Sequence, residues 1–220
     1  MASSRHNVGS EGLEFRWRYR VSASSTEPSF ILDKVRGAYS LAAEHPDEKH
    51  AFPVGKQFAE SLGYPADLLA SLPSVACDAF AGVSNVSLFA ELPVGATVLD
   101  LGCGSGTDTL IAARLIGASG KVIGVDFSAS MLSRARQAVT ESGVVNVELR
   151  ESDAERLPID DGEIDVAVIN GIFNLNPARE AIFRELARVV RPAGTAYVAE
   201  LILSQPLPFE VRTSETDWFA

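Results

Sequence analysis

Residues 97–108 read TVLDLGCGSGTD, an apolar segment that runs directly into three glycines spaced one residue apart. The apolar segment predicts a buried strand from Thr97 to Leu101, and the glycines predict a tight turn in which a ligand approaches bare backbone. A helix is expected to begin just after the turn, with its free N–H groups facing the same ligand. In a doubly wound sheet, ligands bind at this place, beyond the carboxyl ends of the strands.

Strands and helices alternate after this turn, and glycines mark several of the boundaries. Gly117 and Gly143 each follow a predicted helix, and Gly194 precedes the last predicted strand. This alternation predicts the α/β class, with a Rossmann-like, doubly wound, mainly parallel sheet and helices on both faces. The other predicted strands are Lys121–Asp126, Val145–Glu151, Ile164–Asn170 and Thr195–Leu203, and the helices are Thr109–Ile116, Ser130–Ser142 and Arg179–Val190.

Three regions differ in pattern along the chain. Residues 1–28 are rich in Ser, Gly, Arg and Glu and are predicted to be a flexible N-terminal segment. Residues 29–93 are predicted to form several short helices that make a lid and an acceptor pocket over the ligand. Residues 94–220 carry the alternating pattern and are predicted to be the Rossmann-like ligand-binding domain.

The composition indicates an acidic globular protein. Hydrophobic residues make up 46% of the 220 residues, and the formal net charge is −10. An acidic surface repels phosphate backbones and anionic lipid heads, which argues against nucleic acid and membranes as partners. Two cysteines without a CxxC pattern predict no disulfide framework and no metal site. Because no segment resembles a signal peptide or a membrane span, the expected location is the cytoplasm.

The glycine spacing narrows the choice of ligand. Dinucleotide-binding turns follow the pattern GxGxxG, whereas Gly102, Gly104 and Gly106 form GxGxG, and Thr107 stands where the third glycine would be. Asp100, just before the glycines, is typical of methyltransferase turns. The spacing therefore favours S-adenosylmethionine over a nicotinamide cofactor, and an NAD-dependent dehydrogenase is the alternative from another enzyme class.

Two later carboxylates fall where a bound nucleoside would need them. Asp126 ends the second predicted strand, where a carboxylate can accept two hydrogen bonds from a ribose diol. A helix-capping acid is the alternative for Asp126, because Ser128 is also a candidate cap. Asp153 follows the third strand and can accept from an adenine amino group, while the N–H of Ala154 meets a ring nitrogen. A solvated turn is the alternative there.

Asn170 ends the fourth predicted strand and is expected to face the same crevice. Its side chain could position the reactive sulfonium or the substrate. A strand-end turn residue is an equally good interpretation, and the sequence leaves both open.

Four motifs between residues 97 and 203 together resemble the class I S-adenosylmethionine-dependent methyltransferases: VLDLGCGSGTD, VIGVDFSASML, SDAERLPIDDGEIDVAV and FRELARVVRPAG. The resemblance implies S-adenosylmethionine as the cofactor and a small-molecule acceptor as the substrate. The methionine part would lie over the glycine turn, the ribose at Asp126 and the adenine at Asp153. The residues implied to contact the cofactor are Asp100, Gly102, Cys103, Gly104, Ser105, Gly106, Asp126, Phe127, Met131, Asp153, Ala154 and Asn170.

The segments LGYPADLL, NGIFNLNPAREAIFRELARVVRPAG and ELILSQPLPFEVR also resemble arsenite methyltransferases. Those enzymes hold the metalloid with cysteine thiolates, which are soft ligands for a soft centre. At two matching positions this sequence has Val83 and Gly171, and the third would lie beyond Ala220. Cys77 is out of register, and Cys103 lies within the cofactor turn. Metalloid methylation and non-catalytic cofactor binding are therefore kept as alternatives to methyl transfer onto another small molecule.

The residues do not identify a catalytic base. Methyl transfer is an in-line displacement for which the protein mainly supplies alignment, and a base is needed only if the acceptor must lose a proton. The candidates above the pocket are Tyr39, His45, His50 and Tyr64. Each has a plain alternative, a solvated loop for the histidines and packing for the tyrosines.

The family resemblance also implies seven strands, of which five can be identified here. The C-terminal part is therefore expected to be truncated, with the strand Thr195–Leu203 open along one edge. An open edge strand is a pairing liability, so we expect a homodimer or poor solubility.

Overall fold

A five-stranded parallel sheet forms the centre of the fold, with the strand order β3-β2-β1-β4-β5. The structure is a computed structural model that describes residues 28–202, so the predicted flexible segment lies almost wholly outside the described residues. The strand order changes direction between β1 and β4, where doubly wound sheets open a crevice. The strands are β1 (Thr97–Leu101), β2 (Lys121–Asp126), β3 (Val147–Glu151), β4 (Ile164–Asn170) and β5 (Val190–Ala199). This architecture confirms the predicted Rossmann-like α/β class.

The helices of the described residues fall into an N-terminal group and a group that connects the strands. The N-terminal group occupies the region in which several short helices were predicted. Its members are α1 (Pro28–Glu44), α2 (Lys56–Ser61), α3 (Ala66–Ala70), α4 (Ser74–Cys77) and α5 (Val86–Phe89). The connecting helices are α6 (Thr107–Ile116), α7 (Ala129–Ser142) and α8 (Arg179–Val189).

Alternate residues of the central strands bury opposite faces of the sheet. On one face Val98 and Val122 pack in a cluster that includes Ile116 of α6. On the other face Leu99 packs in a cluster that includes Ile182 of α8. Strands buried on both faces need nearly continuous apolar runs, which is why β1 and β4 could be predicted from the sequence.

The N-terminal helices pack beside the carboxyl ends of the strands. Leu69 of α3 and Val75 of α4 share a buried cluster with Leu110 of α6. α1 packs through Ala42 against a separate small cluster that includes Met131 of α7. These contacts place α1 and the loop before β1 next to the glycine turn.

The last strand differs from the prediction at both ends. β5 begins at Val190, directly after α8, and ends at Ala199 instead of continuing to residue 203. It ends there because Ala199 pairs with Asn170, the last residue of β4, so no partner remains beyond it. Near its start, Ile164 pairs with Val190 and Val166 with Thr195, so the intervening residues of β5 bulge out of the ladder.

Other boundaries differ by one or two residues. β3 begins at Val147 rather than at Val145, because the first residue paired with β2 is Val147 and Val145 is largely exposed. α6 begins at Thr107, and α7 begins at Ala129, each slightly earlier than predicted. Gly143 follows α7 in the left-handed conformation, with φ 70°, as the predicted cap requires.

β5 is the outermost strand on its side of the sheet within residues 28–202. None of the helices in the described part of the chain is long and apolar enough to cross a membrane.

Candidate functional site

A cleft opens at the carboxyl ends of β1, β2 and β4, with α1 along its rim. Of the residues predicted to contact a cofactor, all but Gly106 line this cleft. Gly106 lies behind it, where it precedes α6 and faces Ala135 of α7. The cleft has two sides with different chemistry. We call residues 102–106 with the ends of β2 and β3 the turn side, and residues 80–84 with residues 170–172 the loop side.

On the turn side, the glycine backbone is open to the cleft. Gly102, Gly104 and Gly106 all have positive φ, between 53° and 94°, a region that side chains rarely adopt. A Cβ placed on Gly104 would meet only the Sδ of Met131, at 4.0 Å. A ligand can therefore approach this stretch of backbone closely.

Asp126 is buried at the end of β2 and holds the glycine turn in place. One carboxylate oxygen accepts from the N–H of Gly104 at 2.9 Å, and the other accepts from the N–H of Ser128 at 2.8 Å. A carboxylate offers about four acceptor positions, so two remain for a ligand. Burial raises the pKa of Asp126 to about 6, and the backbone N–H groups only partly oppose this shift.

Ser128, not Asp126, caps α7, since the Ser128 hydroxyl accepts from the N–H of Met131 at 3.3 Å. The capping alternative for Asp126 therefore describes a role that its neighbour fills.

Asp100 and Asp108 form a buried acidic pair beneath the turn. Asp100 accepts from the Thr109 hydroxyl at 2.5 Å. Asp108 accepts from the Tyr64 hydroxyl at 2.5 Å and from the Ser87 hydroxyl. Burial raises the pKa of both carboxyls, and each raises the other's cost of ionisation. These contacts tie the N-terminal helices to the start of α6, so Asp100 supports the turn from below.

The Asn170 amide is fully occupied by the chain itself. Its oxygen accepts from the N–H groups of Val83 at 2.8 Å and Ser84 at 3.1 Å. Its nitrogen donates to the Ser84 carbonyl at 2.7 Å and to Asp108 at 2.9 Å. This geometry favours the structural interpretation of Asn170, and its role beside a sulfonium stays a prediction.

The loop side is mostly apolar. Val83 lies directly against Gly171, because a Cβ on Gly171 would come within 2.9 Å of a Val83 methyl carbon. The two positions matched to family cysteines are therefore neighbours in space, and the valine side chain fills the gap between them. The other apolar side chains that line the cleft near α1 and this side are Leu32, Val35, Phe80, Ile172 and Leu175.

Only one of the four candidate bases lines the cleft. The Tyr39 ring is stacked on Phe52 at 4.6 Å, and burial raises the pKa of Tyr39. Tyr64 is buried behind the turn, where its hydroxyl bonds to Asp108. His45 and His50 lie in the loop after α1, and neither is among the residues that line this cleft.

Asp153 and Ala154 line the turn side after β3, and a third residue that the sequence did not point to joins them there. Arg36 of α1 donates to Asp153 at 2.9 Å. Its guanidinium lies 5.3 Å from the centre of the Phe127 ring. The only signal in the sequence is the four-residue spacing of Arg36 and Ser40, which places both on one face of a helix.

The two cysteines lie in different parts of the structure. Cys77 is buried among the N-terminal helices, and Cys103 is buried in the glycine turn. Burial raises the pKa of both thiols. Within the described part of the chain, no three His, Cys, Asp or Glu side chains are grouped as a metal site would require.

Comparisons with known proteins match the sheet and the turn. Residues 93–219 match the family model described as a methyltransferase domain. An arsenite methyltransferase of Halobacterium salinarum is 38% identical over 154 residues, which cover 70% of this chain and 39% of that protein. A demethylmenaquinone methyltransferase of Bacillus subtilis is 36% identical over 126 residues, 57% of this chain and 53% of that protein. The chain thus spans about two fifths to one half of the length of these relatives.

One solved structure has a similar fold and detectable sequence identity. It is an arsenic (III) S-adenosylmethionine methyltransferase from Chlamydomonas reinhardtii, with a TM-score of 0.56 and 27% identity. The match covers 73% of this chain and 54% of that one.

Proposed function

Because the chain belongs to the methyltransferase domain family, we propose that it transfers a methyl group from S-adenosylmethionine to a small organic acceptor. The Asp126 carboxylate carries the proposal. It sits at the end of β2 with two N–H partners and keeps acceptor positions free beside open glycine backbone. A ribose diol supplies the two donors that such a carboxylate lacks.

The remaining residues of the turn side fit the rest of the nucleoside. Asp153 keeps one carboxylate oxygen without a hydrogen bond among the described residues, and this oxygen can accept from an adenine amino group. The N–H of Ala154 is expected to meet a ring nitrogen. The open face of Gly104 leaves room for the methionine part, which the Met131 side chain would flank.

When bound, S-adenosylmethionine supplies an activated methyl group on a positively charged sulfur, so the chain needs mainly to align the acceptor and exclude water. α1 and the loop side are placed to do both, since they border the cleft opposite the turn. The apolar side chains there favour an acceptor with a hydrocarbon or aromatic body.

The Tyr39 hydroxyl is the polar group best placed to orient such an acceptor. It makes no hydrogen bond within the described residues, and its raised pKa keeps it protonated near neutral pH. We therefore assign it as a hydrogen-bond donor to the acceptor rather than as a base.

A metalloid is the second candidate acceptor, favoured by the arsenite methyltransferases among the relatives. A trivalent metalloid calls for soft thiolate ligands. The contact between Val83 and Gly171 argues against it, because apolar atoms fill the place where two thiolates would meet.

Calorimetric titration tests the cofactor assignment. S-adenosylmethionine should bind the wild type, and Asp126→Asn should weaken binding by about a hundredfold, since it disturbs two hydrogen bonds to a charged group. Asp67→Ala, an exposed change on α3, is the control and should bind as the wild type does. Equal affinity of all three proteins would contradict the assignment.

Transfer of a labelled methyl group tests the acceptor class. We expect turnover with a hydroquinone or another phenol and none with arsenite complexed by a small dithiol. The opposite pattern would establish the metalloid alternative, and cofactor binding without any turnover would favour a non-catalytic binding protein.

The outer edge of β5 supports one further expectation, that the protein self-associates, because no strand of residues 28–202 pairs with it. Sedimentation analysis measures this directly, and a monomer over the accessible concentration range would contradict it.

A further inference from the structure

Helix α1 presents three polar side chains at four-residue intervals, which places them on one face of the helix. Each bonds to a residue at or after the end of β2 or β3, along the rim of the turn side. The three pairs are Arg36 with Asp153 at 2.9 Å, Ser40 with Ser128 at 3.0 Å, and Glu44 with Ser130 at 2.8 Å.

Arg36 makes the contact that reaches the proposed adenine subsite. Its Nη2 donates to Oδ1 of Asp153, and its guanidinium lies over the Phe127 ring at 5.3 Å. All three residues line the cleft. The side chains of Arg36 and Asp153 are 44% and 62% exposed, so without a partner the carboxylate would be free to rotate in water.

From this geometry we infer that Arg36 is a positioning residue for adenine recognition, acting through Asp153. The inference rests on the proposed function, in which Asp153 accepts from the adenine 6-amino group. Arg36 fixes one carboxylate oxygen and leaves the other toward the cleft. Because Arg36 belongs to α1, adenine is recognised fully only when α1 lies across the rim.

The position of Arg36 explains why this role is specific rather than general packing. α1 is already held against α7 by the cluster around Ala42 and Met131, which does not involve Arg36. Loss of the guanidinium should therefore leave α1 in place and free only the Asp153 carboxylate.

The test compares two ligands that differ only at the 6-amino group. The probes are S-adenosylhomocysteine and its analogue with hydrogen in place of that amino group, titrated calorimetrically into the full chain. Arg36→Met keeps the apolar stem and removes the charge. It should weaken S-adenosylhomocysteine about fivefold, the scale of a half-exposed ion pair, and the analogue by less than about twofold.

Two further variants locate the effect. Arg36→Lys restores a charge without the planar fork and should recover part of the lost discrimination. In an Asp153→Asn background, Arg36→Met should have almost no additional effect, since the partner through which it acts is gone. Arg184→Met, on the exposed face of α8, is the control and should leave both affinities unchanged.

Two outcomes would overturn the inference. Equal weakening of both ligands by Arg36→Met would mean that Arg36 only covers the cleft, and unchanged affinity for both would mean that it has no role in binding. If the wild type binds neither ligand, the proposed function itself fails, which is a different result from either of these.

Discussion

The turn side and the loop side of the cleft use their polar groups in opposite ways. On the turn side, Asp126 and Asp153 retain acceptor capacity after their contacts within the chain are counted. On the loop side, the four hydrogen-bonding positions of Asn170 are all taken by the chain. The turn side is thus prepared for a polar ligand, whereas the loop side is closed to one and offers an apolar wall.

The largest effect should come from removing the amide that closes the loop side. Asn170→Ala leaves two backbone N–H groups, a carbonyl and Asp108 without their partner, so we expect the free energy of unfolding to fall by about 3 kcal/mol. Urea denaturation measures the change. Asn85→Ala, which removes one hydrogen bond to Gly63, is the control. Similar losses for both variants would show that the Asn170 network is not a stabilising unit.

A smaller loss is expected from crowding the contact between Val83 and Gly171. Gly171→Ala puts a Cβ at φ 83° and within 2.9 Å of Val83, and should cost about 2 kcal/mol. Gly143→Ala has a similar φ of 70° but no neighbouring atom within 4 Å, so it isolates the backbone cost. Val83→Ala in the same chain should relieve the steric part. If the two alanine variants unfold alike, the loop side is not tightly packed there.

The two sides also differ in how far the sequence could predict them. The turn-side residues each follow a strand at a short fixed distance, so local spacing was enough to place Asp126 and Asp153 in one cleft. The family match and the sheet confirm the resemblance on which that placement rested. Which atoms of a cofactor these residues contact stays a prediction.

The loop side depends on contacts between distant parts of the chain, which spacing cannot reveal. Asn170 bonds to residues 86 and 87 positions earlier, and Arg36 bonds to a residue 117 positions later. The end of β5 was wrong for a similar reason, because the length of β4, and not the apolar run of β5, sets where pairing stops.

The pH dependence of cofactor affinity should set the turn side apart. The pKa of Asp126 is about 6 in the free protein, above its usual value near 4, so the carboxylate is ionised above pH 6 and protonated below it. Binding to a ribose diol needs the ionised form, so affinity for S-adenosylhomocysteine should fall about tenfold from pH 7 to pH 5. Asp126→Asn should remove most of this slope. A flat profile in the wild type would mean that Asp126 does not titrate in this range or does not meet the ribose.

The smallest effect on cofactor binding is expected from Tyr39→Phe, which separates the two sides most finely. The ring keeps its stacking on Phe52, and the lost hydroxyl has no hydrogen bond within residues 28–202, so stability should change by less than about 0.5 kcal/mol. Affinity for S-adenosylmethionine should change less than about twofold, while methyl transfer to a phenolic acceptor should slow, because the donor that orients the acceptor oxygen is gone. Tyr64→Phe is the matched control: it removes a buried hydroxyl bonded to Asp108, so it should destabilise the fold by about 1–2 kcal/mol. A loss of cofactor affinity in Tyr39→Phe with no loss of turnover at saturating cofactor would place this hydroxyl on the turn side and break the division between the two.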